Sequence, residues 1–372
     1  MKIAVLTSSR ADFGIYLPLL KKLHSESSFD FELIIFGTHL SLFYGGTIKE
    51  INKHGFKVAH TVESMLLTDS EDAIASAIGL TIIKFSEIWK KSGRSYDVVF
   101  CLGDRYEMFA AVTAGIPYQV PFAHLHGGEN TTGAIDNKFR HSITLASKWH
   151  FTSTESHKNR VKQITGKEDN IYNVGALSLD NLREISLHTV EGFAEKWGVD
   201  FSKKTILTTF HPETAGESKD ESYGDELVKA IEKLSITYRF LITMPNADTL
   251  GNQIRQKLIA AFAENTSVTM IENLGSESYF SAMHHCSFLL GNTSSGIIEA
   301  ASFGKYVINL GNRQEGREVG GNVFTVPLQS DSILAAVHTI EQLPPLSNTN
   351  IYYNGGATDK IIAIMKEIHD KK

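Results

Sequence analysis

The sequence predicts an α/β protein built from two doubly wound domains with parallel sheets. Three observations carry that prediction. Short apolar, strand-like runs alternate with stretches of helical period from one end of the chain to the other. The strand-like runs break into loops holding Gly, Asp, His and Arg. The length of 372 residues is long for one core and suits two domains of roughly 150–200 residues each.

In chain order, residues 3–6 form the first strand and 7–14 the turn after it, followed by a helix to about residue 24. Pro18 is tolerable in such a helix only near its first turn. Strands follow at 31–36 and 57–60. A long amphipathic helix is expected over 72–91, with Ile74, Ile78, Ile82, Phe85 and Trp89 on one stripe. Further strands are expected at 97–102, 121–124, 150–152 and 171–174. The alternation restarts after residues 175–180, with strands at 206–210, 240–244, 268–271, 288–290, 307–310 and 323–326. Helices fill the gaps at 221–234, 253–265, 278–285, 295–303 and 331–343, and Pro344-Pro345 stops the last of these. The expected division is 1–176, 177–355 and a closing helix within 356–372 that packs back on the first domain.

Composition narrows the function classes. Hydrophobic residues make up 42% and charged residues 21%, ordinary for a globular protein. A net charge of −6 argues against a nucleic-acid partner, which needs a concentrated basic face. It does not argue against a small anion, because a local patch can override the sum. The two cysteines, Cys101 and Cys286, lie in or beside apolar runs and read as buried hydrophobes. The apolar part of the N-terminus is too short for a signal peptide, and no window approaches the ~20 apolar residues of a membrane span. A cytoplasmic protein without a membrane partner is expected.

The stretch from Asp97 to His141 is the most informative. Its first strand ends in Gly103-Asp104-Arg105-Tyr106-Glu107 and its second breaks into His124-Leu125-His126-Gly127-Gly128-Glu129. Gly133-Ala134-Ile135-Asp136 then leads into a helix with Arg140 and His141. In open α/β sheets ligands bind beyond the carboxyl ends of the strands, so charged loop residues there are candidates for chemistry. His124 and His126 with Asp104 and Glu129 are compatible with a metal site, although no His-x-x-x-His pair supports one. The competing reading is metal-free proton transfer by Asp104, Glu129, Asp136 and His211, the last from Phe210-His211-Pro212-Glu213 at the end of another strand. Gly291-Asn292-Thr293-Ser294-Ser295-Gly296-Ile297-Ile298-Glu299 follows a strand and opens a helix. An ordinary capped loop has the same look, but the pattern also suits an anion, with Glu299 one turn in and able to reach ribose hydroxyls. Arg313 and Arg10 also end strands, and Met244-Pro245-Asn246-Ala247-Asp248 ends one more. Together these loops make a nucleotide diphosphate a plausible ligand.

Ser9-Arg10-Ala11-Asp12, Leu102–Glu107, His124–Glu129, Asp136 through Thr144, Phe210–Thr214, Asn246-Ala247-Asp248, Gly291–Glu299 and Asn309–Gln314 occur in order over nearly the whole chain. This set resembles the hydrolysing UDP-N-acetylglucosamine 2-epimerases of bacterial sialic acid biosynthesis. The resemblance implies two Rossmann-like domains of the GT-B type with an interdomain cleft, a homodimer or homotetramer, and no metal or nicotinamide cofactor. It implies loss of UDP from UDP-N-acetylglucosamine to give 2-acetamidoglucal, then addition of water to release N-acetylmannosamine. Carried over, Asp104, Glu129, Asp136 and His211 match catalytic positions. Arg10, Arg105, Asn246, Ser294, Glu299 and Arg313 match UDP contacts, and His126 and Thr293 complete the substrate-binding set. Two positions depart from the wider pattern: His126 stands where non-hydrolysing relatives tend to have Glu, and Thr293 replaces a common serine. The alternatives are a hydrolysing epimerase of a UDP-diacetamido-trideoxyhexose, a GT-B glycosyltransferase, and a nucleotide-sugar sensor without chemistry.

Overall fold

A computed structural model of the chain describes residues 1–42, 46–66, 70–130, 135–211, 224–245, 249–347 and 349–371. They fall into two units. The first comprises residues 1–130, 135–183 and 352–371 of those described, and the second 184–351.

The first unit holds seven strands: β1 (Lys2–Thr7), β2 (Asp30–Phe36), β3 (Val58–Val62), β4 (Val98–Leu102), β5 (Phe122–Leu125), β6 (Trp149–Thr152) and β7 (Ile171–Asn173). They pair in parallel in the order β3-β2-β1-β4-β5-β6-β7. Successive side chains of a strand point to opposite faces. On β1, Ile3 and Val5 therefore join the core with Leu19, Leu20, Ile361 and Met365, whereas Ala4 and Leu6 meet Phe85, Trp89 and Met108. Burial on both faces is why these strands read as unbroken apolar runs.

The second unit repeats the plan with β8 (Thr205–Thr209), β9 (Arg239–Thr243), β10 (Val268–Ile271), β11 (Phe288–Gly291), β12 (Val307–Leu310) and β13 (Val323–Val326). Their parallel order is β10-β9-β8-β11-β12-β13. In both sheets the strand order reverses beside the first strand, at β1/β4 and β8/β11, which is where open α/β sheets form ligand crevices.

Several expectations need correction. Pro18 lies well inside the helix Arg10–Ser25 and is buried, not confined to its first turn. The carbonyl that a proline at this position leaves without its helical partner is that of Gly14, and it accepts a hydrogen bond of 2.9 Å from Asn181 Nδ2. The long helix Glu71–Ser92 buries Ala73, Ala77, Thr81, Phe85 and Trp89. The stripe is thus rotated from Ile74, Ile78 and Ile82 toward small residues. Those let the helix approach its neighbour Tyr106–Gly115 closely enough for Trp89 Nε1 to donate to the Ala111 carbonyl at 2.9 Å. The expected helix 295–303 is instead a short helix Ser294–Ile298 followed by a 3-10 turn Ala300–Phe303.

The chain leaves the first unit after Arg183, within about ten residues of the expected junction, and Leu177 belongs to the first unit's core. It returns at Tyr352 and ends in the helix Ala357–Asp370. Asp180 caps that helix, its carboxylate accepting from Ala357 N at 3.3 Å and Thr358 N at 2.6 Å. Among the described residues no helix is long and apolar enough to cross a membrane. Asp180→Ala is expected to cost about 1–2 kcal/mol, the usual value of a lost helix cap. Chemical denaturation of the variant measures it, and an unchanged midpoint would contradict the capping role.

Candidate active site

The first unit gathers its chemical side chains at the carboxyl ends of four neighbouring strands. β1 runs into Ser8 and Ser9, and Ser9 caps the following helix in a reciprocal capping box with Asp12. Burial alone would raise the Asp12 carboxyl, but hydrogen bonds from His39, Thr7 and the Ser8 backbone outweigh it and hold the group below the usual carboxylate range. This anchors the loop and leaves Arg10 exposed on the first turn.

Next to it, β4 runs into Gly103, in a left-handed conformation with φ 76°, followed by Asp104 and Arg105. Asp104 pairs with Arg140, which projects from the helix Asp136–Ala146. The Arg140 side chain is 4% exposed and that of Asp104 26%. Breaking such a pair by removing one partner commonly costs 3–5 kcal/mol. Among the described residues Nε and Nη1 of Arg140 find no acceptor, so the guanidinium has donors to spare for an anionic or carbonyl ligand. Arg105 pairs with Glu107 at 2.7 Å. Asp136 opens the helix, and its carboxyl is pushed up from the ordinary 3.8 by burial and then by the neighbouring Asp104 charge, against the opposing pull of Arg140 and Arg105. Asp104, Arg105, Asp136 and Arg140 therefore form one cluster.

A second cluster follows β5. His126 adopts φ 62°, a conformation uncommon outside glycine. Its Nδ1 lies 2.7 Å from Glu129 Oε1. The same oxygen accepts from Ser153 Oγ at 3.1 Å, and Ser153 Oγ lies 2.9 Å from His157 Nδ1. Gly128 makes this turn possible: with φ 80°, a Cβ there would lie 2.3 Å from the His157 carbonyl oxygen.

His124 belongs to neither cluster. It is fully buried, and burial pushes its imidazole down to about 3, so it is neutral. Its Nε2 lies 2.9 Å from the Gly103 carbonyl and its Nδ1 3.1 Å from the Thr144 hydroxyl. His124, a metal-ligand candidate by its sequence position, thus has both ring nitrogens engaged, one on the loop after β4 and one on the helix Asp136–Ala146. Among the described residues no group of His, Cys, Asp and Glu has the geometry to hold a metal ion.

In the second unit β8 runs into Phe210 and His211, and β11 ends at Gly291 and runs into Asn292. Asn292 is 0% exposed. Its Oδ1 accepts from the His211 backbone N–H and its Nδ2 donates to the His211 carbonyl, each at 2.8 Å. Its own carbonyl accepts from Arg313 Nη1 at 3.1 Å and Gln314 Nε2 at 2.8 Å. Thr293 caps the helix Ser294–Ile298 through a 3.1 Å bond from Gly296 N–H. That helix is too short for much of a dipole, so exposed Ser294 and Arg313, not a helix end, are the groups presented to an anion. Tyr279 Oη, pushed above its usual range by burial, lies 2.8 Å from Ser295 Oγ. Glu299 is buried one turn further on. His211, Thr293 and Arg313 are thus linked through one neighbourhood around Asn292. Asn246 and the segments 131–134 and 212–214 lie outside the described residues.

Arg140, Ser153, His157, Asn292 and Tyr279 were not among the expected site residues. Arg140 lies one helical turn after Asp136, a spacing that puts both on one face. Ser153 follows a strand end and could have been found by the rule that found Asp104. His157 and Tyr279 carry no local signal.

Two Rossmann-like units, one with wired carboxylates and imidazoles and the other with a hydroxyl-rich loop beside an arginine, define an α/β fold of the GT-B type. The chain belongs to the UDP-N-acetylglucosamine 2-epimerase family, which matches residues 21–366. It is 33% identical over 367 residues to the UDP-N,N'-diacetylbacillosamine 2-epimerase (hydrolyzing) of Legionella pneumophila, covering 99% of this chain and 96% of that one. It is 32% identical over 375 residues to the polysialic acid biosynthesis protein P7 of Escherichia coli, covering 100% and 95%. Its fold is similar to the crystal structure of UDP-GlcNAc 2-epimerase from Neisseria meningitidis bound to UDP-GlcNAc, with TM-score 0.78, 18% identity and 99% and 100% coverage.

Two predictions follow from the packing. Gly291 has φ 151°, and a Cβ there would lie 2.0 Å from the Thr209 carbonyl oxygen. Gly291→Ala is expected to cost on the order of 1–3 kcal/mol through strain and separation of β11 from β8, measurable by urea unfolding. For Asp136, the raised carboxyl means the folded protein is at full advantage below about pH 3.8 and loses it as pH rises through the folded value. Asp136→Asn, which mimics the protonated form, should match wild-type stability in acid and exceed it increasingly across that window. Thermal melts in a pH series read this directly, and a variant less stable than wild type at neutral pH would refute it.

Proposed function

We propose that this protein is a hydrolysing 2-epimerase of a UDP-linked 2-acetamidohexose, with UDP-N-acetylglucosamine as substrate and UDP and N-acetylmannosamine as products, the first step toward sialic acid. The observation that carries the reading is the presence, at adjoining strand ends of one unit, of two separately wired proton-handling centres. One is Asp104–Arg140 with the raised Asp136, and the other is His126–Glu129. Inverting a carbon requires a proton to leave one face and another to arrive on the opposite face, so one base cannot do it alone. Neighbouring groups whose environments separate their proton affinities are how a site provides an acid and a base together.

In this reading the hydrogen on C2 is removed as a proton, its electron pair forms the C1=C2 double bond, and the C1–O bond breaks with its pair leaving on UDP. Water then adds hydroxyl to C1 of the 2-acetamidoglucal while C2 takes a proton on its other face, which gives the free hemiacetal sugar. Early C1–O cleavage eases removal of a weakly acidic hydrogen, and cationic groups on the diphosphate stabilise the departing charge. Arg10, Arg105, Arg313, Ser294 and Thr293 are assigned to the nucleotide and its phosphates, with Glu299 on the ribose. Asn246 is carried as a further UDP contact and His211 as the proton-handling group of the second unit. A second reading, a UDP-diacetamido-trideoxyhexose as substrate, is favoured by the similarity to the Legionella relative of that name.

Incubation with each UDP-sugar in D2O, followed by NMR, tests both. A free 2-epimeric sugar with deuterium at C2 is expected. Return of a UDP-linked epimer would exclude hydrolysis, and transfer without deuterium at C2 would make the protein a glycosyltransferase. Asp104→Asn should lower kcat by about 10²–10⁴, the range for a positioned acid or base, while UDP still binds in calorimetry.

A further inference from the structure

We infer that the proton-accepting atom of the second cluster is His126 Nε2, and that Glu129, Ser153 and His157 are positioning residues behind it. The inference deepens the epimerase reading above and rests on it for the identity of the substrate.

An ionised carboxylate only accepts, so the 2.7 Å contact between Glu129 Oε1 and His126 Nδ1 places a proton on Nδ1. In the neutral ring this leaves the lone pair on Nε2. That atom is buried and has no partner among the described residues, on a side chain that is 10% exposed. Glu129 is taken up differently. The oxygen facing His126 also accepts from Ser153 Oγ at 3.1 Å. Ser153 has one hydroxyl hydrogen, so with that hydrogen on Glu129 it must accept from His157 Nδ1 at 2.9 Å. Donation therefore runs from His157 to Ser153 to Glu129, while His126 donates to the same carboxylate from the other side. A carboxylate so engaged orients an imidazole and supports the charge it acquires. The left-handed backbone of His126 points the same way, because strain of this kind persists where surrounding structure over-determines it, often at ligand sites.

Two ionisable groups lie beside this ring, Glu129 bonded to Nδ1 and His124 close by, and two more stand behind them. Glu129 is on its own loop, and His157 on the helix Glu155–Thr165. His124 of β5 is held neutral by burial, and Arg140 of the helix Asp136–Ala146 is paired with Asp104. Only Glu129 makes a direct bond to Nδ1 among them. In the elimination, the Nε2 lone pair takes the C2 proton, the C2–H pair becomes the C1=C2 bond, and the C1–O pair departs with UDP.

The test is a kcat/KM pH profile of the full chain and three variants, with imidazole ¹⁵N NMR of His126 as a readout that needs no turnover. His126→Asn should remove the acid limb and lower kcat/KM by about 10³. Glu129→Gln should keep a limb but move it to lower pH, since the anion that favours the imidazolium is gone. Ser153→Ala should move it to higher pH, since the carboxylate loses a donor and attracts the ring proton more strongly, with a loss of about tenfold or less. A limb that survives unmoved in His126→Asn and vanishes in Glu129→Gln would overturn the assignment and make Glu129 the base. By NMR, neutral His126 should be protonated on Nδ1. Protonation on Nε2 would overturn the inference whatever the protein's substrate, whereas correct tautomers without UDP-sugar turnover would fault the epimerase reading instead.

Discussion

The hydrogen bond between a buried neutral imidazole and one backbone carbonyl holds the strand-end loops of the first unit in register. Parallel strands align their carboxyl ends but place no ladder bonds beyond them, so the loops that carry chemistry would otherwise be free to separate. His124, at the end of β5, reaches Gly103 at the end of β4 and leans on Thr144 of the next helix. Asp104 follows Gly103 directly, and His126 follows His124 by two residues. One side chain therefore governs the spacing of both polar clusters. It can do so only while uncharged, because a protonated ring would face the cation of Arg140 in a desolvated setting, and its depressed affinity for a proton reflects burial above all.

The second unit solves the same problem with an amide. Asn292 pairs both backbone polar groups of His211 through its carboxamide, and its carbonyl takes up the side chains of Arg313 and Gln314. Three strand ends, β8, β11 and β12, are thereby tied through one residue with no exposed surface. An aspartate would lose the donor that reaches the His211 carbonyl, and a leucine would withdraw the partner of both the His211 N–H and its carbonyl. The backbone around it is equally constrained, since Gly291 lies against the Thr209 carbonyl more closely than any side chain allows.

Much of this was written plainly in the chain. Strands buried on both faces are unbroken apolar runs, so β1, β4, β5, β8, β11 and β12 and the loops after them could be located from residues alone. What could not be read depends on contacts distant in sequence. Pro18 continues its helix because Asn181 satisfies the carbonyl it frees. The buried face of Glu71–Ser92 follows alanines and not isoleucines because its partner helix comes close. Ser153 and His157 matter only because β6 lies beside β5 in the sheet. Asn292 lies inside a legible motif, but its neighbours Thr293 and Ser294 carry the more obvious ligand chemistry, and its role depends on bonds to residues far along the chain.

What distinguishes the carboxylates of the first unit is not residue type but what stands behind each one. Asp104 is backed by a buried guanidinium with a deficit of acceptors. Asp136 lies close enough to Asp104 to feel its charge and in enough burial to resist ionising. Glu129 is spanned between an imidazole and a serine. Three acids within one strand-end region would repel if all were equally ionised and equally solvated. Backing them with a cation, with burial and with hydrogen-bond donors lets them coexist, and at Asp136 burial and the nearby charge raise the hold on a proton. The arrangement costs stability at Asp136 and backbone strain at His126, and that cost falls where a reaction needing acid and base at once would require it.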